Sequence, residues 1–199
     1  MPKIVDGDLR RQNLAAAAAR LIARGGLEAA TMRDIATEAG LTTGSVTHYF
    51  ADKRELLLFT LTESLQHRRG RRAAAASAGA HAAVRAALEG ALPIDAERHR
   101  HWMVTIAFCA LAAGDDAMAQ VQRLAYREFR NNVTAQLRQC GVASAGARHE
   151  AERLIAVVDG VAVQAIFDPT SWPVHRQLAM LDEAMVAAGL ADAPASSPS

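Results

Sequence analysis

The stretch from Thr31 to Phe50, TMRDIATEAGLTTGSVTHYF, limits the folds open to this chain more than any other. Thr31 reads as a helix N-cap, with Asp34 three residues on as its capping-box partner. The short helix it opens passes through Ala39 and stops at Gly40, because glycine accepts the left-handed conformation that a helix C-terminus needs. Thr42 or Thr43 then caps a second short helix that runs to about Tyr49. Ile35, Ala36, Ala39, Leu41 and Val46 supply a small apolar core that holds the two helices together. Helix, tight glycine turn and short helix in that order make a helix-turn-helix.

The flanks continue the helical pattern. Asp8 is placed to cap a first helix that runs to Arg24, with Leu14, Ala18, Leu21 and Ile22 at helical spacing and Gly25-Gly26 as its stop. Asp52 caps a fourth helix with Glu55 at its capping-box position, and this helix fades into the basic cluster Arg68, Arg69, Arg71 and Arg72. Further helices are predicted over 78–92, 96–113, 116–139 and 148–167, and from Pro173 to Gly189, punctuated by Pro93, Gly114, Gly141 and Pro169. Alanine runs at 15–19 and 73–76 favour helix over strand, and no period-two alternation or solenoid repeat occurs. The expectation is an all-α chain with an N-terminal three-helix domain over 8–52. A helical C-terminal domain over 53–189 follows, and then a disordered Ala/Ser/Pro tail over 190–199.

Charge separates along the chain. Through Arg72 there are 12 Lys/Arg against 8 Asp/Glu, whereas the remainder carries 10 against 13. The basic end is the one suited to a polyanion. Cys109 and Cys140 form no CxxC and no disulfide framework, and read as small buried hydrophobes of a reducing cytoplasm. No signal-peptide pattern opens the chain, and no stretch is long and apolar enough to span a bilayer. His99 and His101 point to different faces, HEAER at His149 is not HExxH, and GxSxG, P-loop and Rossmann glycine patterns are absent. The chain is expected to have no metal, no cofactor, no membrane partner and no enzymatic activity.

The second helix of the Thr31 to Phe50 tract carries Thr43, Ser45, Thr47, His48 and Tyr49. These are short hydrogen-bonding side chains and two planar rings, few of which repay burial. Free N–H groups at a helix start by Thr42 and Thr43 suit phosphate oxygens. Side chains on the exposed face suit base edges in the major groove. Lys53 suits a phosphate as a point charge.

The run TMRDIATEAGLTTGSVTHYFADKRELL resembles the DNA-binding segment of TetR/AcrR-type regulators. The matching residues are Thr31, Ile35-Ala36, Ala39-Gly40, Gly44, Tyr49-Phe50, Lys53 and Leu56-Leu57. Where that family often has a phosphate-touching Tyr, this chain has Thr47, and its THYF ending resembles the BetI-like branch. AERLIAVVDGVAVQAIFDPTSW, with Asp159-Gly160, resembles that branch's penultimate helix. The resemblance implies a homodimeric transcriptional regulator, most simply a repressor released from a palindromic operator by a small-molecule inducer. Its partner is double-stranded operator DNA, contacted by Thr31, Arg33, Thr42, Thr43, Gly44, Ser45, Thr47, His48, Tyr49 and Lys53. The last two helices fit a dimer interface through Leu154, Val158, Val161, Ala165, Leu178, Leu181 and Met185, although these stripes would also serve the subunit's own core.

Ligand-binding candidates come from the middle helices: Trp102, Met103, Ile106, Tyr126, Phe129 and Asp159, with His99, Arg123, Arg127 and Gln164 as further polar groups. BetI-like relatives respond to choline, and Trp102, Tyr126 and Phe129 are the rings available for a quaternary-ammonium cage. The competing reading is a helical small-molecule carrier or enzyme with no DNA role. An activator stays open within the first reading, because sequence does not set the sign of regulation.

Overall fold

The computed structural model describes residues 3–74 and 79–190, and the side chains of 7–66 and 79–190. The tail expected over 190–199 lies outside these residues apart from Leu190, and the side chains of Arg68, Arg69, Arg71 and Arg72 lie outside them as well. Among the described residues the elements are α1 (Lys3–Gly25), α2 (Met32–Glu38), α3 (Thr43–Tyr49), α4 (Lys53–Ala74) and α5 (Ala80–Glu89). They continue with α6 (Ala96–Ala112), α7 (Asp116–Gln139), α8 (Ser144–Phe167) and α9 (Val174–Ala187). No strand occurs among the described residues. The fold is all-α, with a helix-turn-helix segment ahead of a longer helical region.

Two boundaries differ from expectation. Asp8 lies inside α1 and does not cap it, because the helix already begins at Lys3. α8 starts at Ser144, one turn before Arg148; its N-cap Ala143 offers no side-chain cap, so no cap residue marked that start in the sequence.

Backbone packing divides the chain into two compact units. One is Met1–His67 with Arg100–Leu124, and the other is Arg68–His99 with Ala125–Ser199. α4, α6 and α7 are continuous across the division.

In the first unit α1 packs on α2 and α3, and α2 on α3. α1 buries Leu14, Ala17, Ala18 and Ile22, the stripe that a 3.6-residue period places on one face. α2 buries Ile35 and Ala36, α3 buries Val46, and α4 buries Leu56, Leu57 and Leu61. The rings of buried Phe50 and half-buried Phe59 meet with centroids 5.5 Å apart. Each fully buried Leu, Ile or Phe contributes about 1.5–3 kcal/mol of transfer free energy.

The second unit has one core. Val84, Ala87 and Leu88 of α5 meet Phe129, Val133 and Leu137 of α7, Leu154, Val158 and Val161 of α8, and Leu181 and Met185 of α9. Arg153 ties α8 to α9 by donating from Nη2 to the Ala184 carbonyl (3.1 Å). Cys109, expected to be buried, is exposed on α6, and Cys140 is half-buried with its thiol pushed up by burial.

Candidate nucleic-acid interface

The turn between α2 and α3 is built by glycine. Gly40 has φ +68°. Its N–H donates to the Thr37 carbonyl (3.0 Å) and that of Leu41 donates to the Ala36 carbonyl (2.8 Å). This pair of bonds is the Schellman arrangement, which satisfies carbonyls the helix end leaves open.

Both caps form as the sequence implies. Thr31 Oγ1 accepts from the Asp34 N–H (3.1 Å), and its hydroxyl donates to the Asp34 carboxylate. Thr42, rather than Thr43, is the N-cap of α3: its Oγ1 accepts from the Ser45 N–H (3.2 Å) and lies 3.0 Å from Ser45 Oγ. Thr47 Oγ1 donates to the Gly44 carbonyl (3.1 Å). α3 is seven residues long with Val46 its buried side chain. Thr42, Thr43, Gly44, Thr47 and His48 are exposed around it, Ser45 and Tyr49 are half-buried, and Arg33 and Thr31 are exposed at α2. The His48 and Tyr49 rings meet edge to face, with centroids 5.1 Å apart. The expected residues on α2 and α3 are thus exposed or half-buried, with none of them in the core.

Lys53 has a different engagement from the one expected. It is half-buried, and its Nζ donates to the Leu27 carbonyl (3.0 Å), tying α4 to the α1–α2 connection.

Ion pairs brace the segment. Glu38 on α2 accepts from Arg24 Nη2 (2.6 Å) and Arg20 Nε (2.7 Å) on α1, and these bonds hold its carboxyl at about 2, far below the ordinary 4.5. Asp52 Oδ1 caps α4 by accepting from the Glu55 N–H (2.8 Å), while Glu55 Oε2 accepts from the Ala51 N–H (2.8 Å). That backbone bond, helped by Arg11, keeps the Glu55 carboxyl below its usual range. At the start of α4, Arg54 forms a two-pronged pair with Asp115, Nε to Oδ2 at 2.5 Å and Nη2 to Oδ1 at 2.9 Å. Asp115 also caps α7, accepting from the Ala117 and Met118 N–H groups at 3.0 and 3.2 Å. The Arg54 guanidinium is the main reason that the Asp115 carboxyl titrates low.

The geometry has close counterparts. Residues 14–58 match the model of bacterial regulatory proteins of the tetR family, and residues 80–189 match the C-terminal domain of BetI-type transcriptional repressors.

The chain belongs to the TetR family.

It is 34% identical over 173 residues to the HTH-type transcriptional regulator PksA of Bacillus subtilis, covering 85% of this chain and 84% of that one. It is 32% identical over 167 residues to the regulator BetI of Burkholderia mallei, covering 81% and 84%. A transcriptional regulator from Rhodococcus sp. Rha1 superposes with TM-score 0.82 at 31% identity, over 89% of this chain and 94% of that one. One from Saccharomonospora viridis, solved in complex with choline, has TM-score 0.82 at 21% identity, over 90% and 96%, and shows the fold alone. The protein is thus a helix-turn-helix transcriptional regulator and not an enzyme, and the carrier or enzyme reading is not favoured.

In this TetR-family chain the ligand candidates fall in both units. Trp102, which is buried, and Met103 and Ile106, half-buried, belong to the first. Tyr126 (exposed), Phe129 and Asp159 belong to the second, where Phe129 is part of the core around Val133 and Leu154. Of the further polar candidates, His99, Arg123, Arg127 and Gln164 are all exposed.

The residues expected at a dimer interface line the core of the chain itself. Leu154 (0% exposed), Val158, Val161, Ala165, Leu181 and Met185 are buried within the chain itself, and Leu178 packs half-buried against the same core. The sequence stripe marked the inner face of α8 and α9, because a core and an interface draw on the same apolar residues.

Three groupings carried no sequence signal. Arg11 bonds the end of α3 and Glu55; Arg54 pairs with Asp115; and Ser64 Oγ lies 2.6 Å from Nδ1 of the buried His101, whose Nε2 lies 3.3 Å from Thr105 Oγ1. Their partners lie 37 or more residues away in sequence, except for Thr105.

Proposed function

We propose that the protein is a ligand-responsive repressor that binds a palindromic operator as a homodimer, with α3 as the recognition helix in the major groove. The observation that carries this reading is the two-sidedness of α3. Val46 is buried while Thr43, Thr47 and His48 stand exposed, with Arg33 exposed on α2. A short helix anchored by one apolar side chain and otherwise presenting small hydrogen-bonding groups is suited to base edges and phosphates. Thr31, Thr42, Gly44, Ser45 and Tyr49 complete that surface. Lys53 has two of its three ammonium protons left for a phosphate once Leu27 takes the third.

The subunits pair through the outer faces of α8 and α9. Val163, Phe167, Val174 and Val186 are exposed there, Phe167 at 73% and Val186 at 60%. Gly160 lies on the same exposed side of α8, and a Cβ added to it would meet nothing within 4 Å, so the chain itself does not require a glycine there. Close approach of a second copy's helix supplies a reason for it.

A small molecule bound in the helical region behind the helix-turn-helix releases the operator by favouring a conformation that spaces the two readers wrongly. The choline of the Saccharomonospora regulator is not carried over. Acting on operator DNA makes the cytoplasm its place of work; no described helix is long and apolar enough to cross a membrane.

The test is a mobility shift on the DNA upstream of the protein's own gene and its neighbours. Thr43→Val and His48→Ala are each expected to weaken operator binding about 5- to 100-fold while leaving the dimer intact, the worth of one or two lost polar contacts. Unchanged affinity in both variants overturns the assignment of α3.

A further inference from the structure

We propose that Arg11 is a positioning residue for DNA reading: from α1 it sets the pose of the recognition helix without itself touching DNA. The inference rests on the reading of α3 as that helix. Arg11 Nη1 donates to the Tyr49 carbonyl (2.6 Å), at the very end of α3. Its Nη2 donates to Glu55 Oε1 (3.1 Å) in the first turn of α4. Its guanidinium carbon lies 4.3 Å from the Phe50 ring centroid and 4.7 Å from that of Phe59. One side chain therefore holds the last carbonyl of α3, the cap residue after it and the helix that follows.

α3 cannot set its own pose. It has seven residues and one fully buried side chain, Val46, so contacts at its ends carry much of its orientation. The carbonyls of its last turn lack intrahelical partners and carry partial negative charge, so a cation placed there is favoured. Arg11 supplies that cation from α1, which the rest of the unit holds through Leu14, Ala17, Ala18 and Ile22. Glu55 closes the loop, because its other oxygen already holds the Ala51 N–H (2.8 Å) in the α3–α4 turn. Arg11, Glu55 and the Ala51 backbone thus form a continuous brace around the exit from α3.

An arginine at the basic end of a DNA-binding protein invites the simpler reading of a phosphate contact. The geometry favours the brace: Nη1 donates inward to Tyr49 and Nη2 to Glu55, and the guanidinium carbon lies near two rings. The two roles differ in what they do to binding. A phosphate contact supplies affinity for any duplex, and removing it lowers the salt slope by about 0.9. A brace on the recognition helix supplies discrimination, since base edges, not phosphates, carry the sequence.

The experiment compares wild type with Arg11→Met, which keeps the apolar stem but no donors, with Arg11→Lys, and with Glu55→Gln, which keeps an acceptor for Ala51. The probes are the duplex that wild type enriches from a random-sequence library and a scrambled duplex of equal length. Affinity for each is measured across a salt series, beside a thermal melt and the oligomeric state. Expected for Arg11→Met and Arg11→Lys is a cooperative melt, with the preference for the selected duplex falling about tenfold or more, the scale of lost charge-assisted hydrogen bonds. The salt slope of Arg11→Met on scrambled DNA is expected to match wild type, and Glu55→Gln to lose preference in the same direction by less. An unchanged preference, or a slope on scrambled DNA reduced by about one in Arg11→Met, overturns the proposal. Should the Arg11 variants fail to fold, an unchanged preference in Glu55→Gln overturns it. Wild type that enriches no duplex overturns the reading of α3 itself, and this inference with it.

Discussion

Gly40 and Gly44 are separated by one turn of chain and do opposite things. Gly40 sits at φ +68°, where a side chain strains the backbone, although a Cβ there would meet nothing within 4 Å. Gly44 lies inside α3, and an added Cβ would be 3.9 Å from Thr42 Oγ1, ordinary contact. Gly40→Ala is therefore expected to destabilise the protein by about 1 kcal/mol, all of it backbone strain. Gly44→Ala is expected to stabilise it by about 0.5–1 kcal/mol through helix propensity, yet to weaken operator binding, because the methyl enters the surface proposed to face DNA. Urea unfolding of both variants, with a mobility shift for the second, checks the signs; a destabilised Gly44→Ala would contradict the assignment of that site as unstrained helix. At this scale the sequence was informative. The caps Thr31 and Thr42 and the turn at Gly40 were legible because each acts on backbone within a few residues. Lys53 was half legible: its charge and position could be read, but not the Leu27 carbonyl 26 residues away that takes one of its protons.

Between elements the bonds are ionic and long-range. α2 is pinned to α1 by Glu38 between Arg24 and Arg20. The folded carboxyl titrates near 2, held down first by the bond from Arg24 and then by that from Arg20, against an ordinary 4.5. A depressed acid contributes stability that is fully present above the unfolded value and is lost as pH falls through the folded one. The difference in stability between wild type and Glu38→Gln is thus expected to be constant at neutral pH, to shrink below about pH 4.5 and to vanish near pH 2. Denaturant melts of the pair at steps of pH measure it, and a gap that stays constant down to pH 2 would refute the linkage. The pair is exposed, so salt is expected to narrow the gap too. None of these partnerships could be read beforehand. The bonds of Glu38 to Arg20 and Arg24 cross from α2 to α1, and the bonds Arg11–Glu55 and Arg54–Asp115 span 44 and 61 residues.

For the whole molecule the issue is which apolar surface serves the subunit and which serves a partner. Leu154, Val158, Val161, Leu181 and Met185 serve the core of the second unit, and Leu154→Ala is expected to cost about 2–5 kcal/mol of stability whatever the oligomeric state. Val163, Phe167 and Val186 stand exposed on the other side of the same helices. Phe167→Glu is accordingly expected to leave the fold stable and to turn the protein into a monomer with much reduced operator affinity, because a single reader cannot engage both half-sites. Sedimentation velocity and circular dichroism test this together; a stable dimer of the variant would remove the proposed interface.

The all-helical class and the helix-turn-helix were written in the chain's local pattern, because periodicity, caps and a glycine turn act over a few residues; the family came from the resemblance of the Thr31–Leu57 run to known regulators. Which face of α8 and α9 is inside, that Lys53 reaches Leu27, and that Arg11 bonds the end of α3 emerged from the packing. The physical reason is common to all three. Hydrophobicity records that a side chain leaves water and charge records that it seeks an opposite charge or a dipole, but neither records which distant residue supplies the partner.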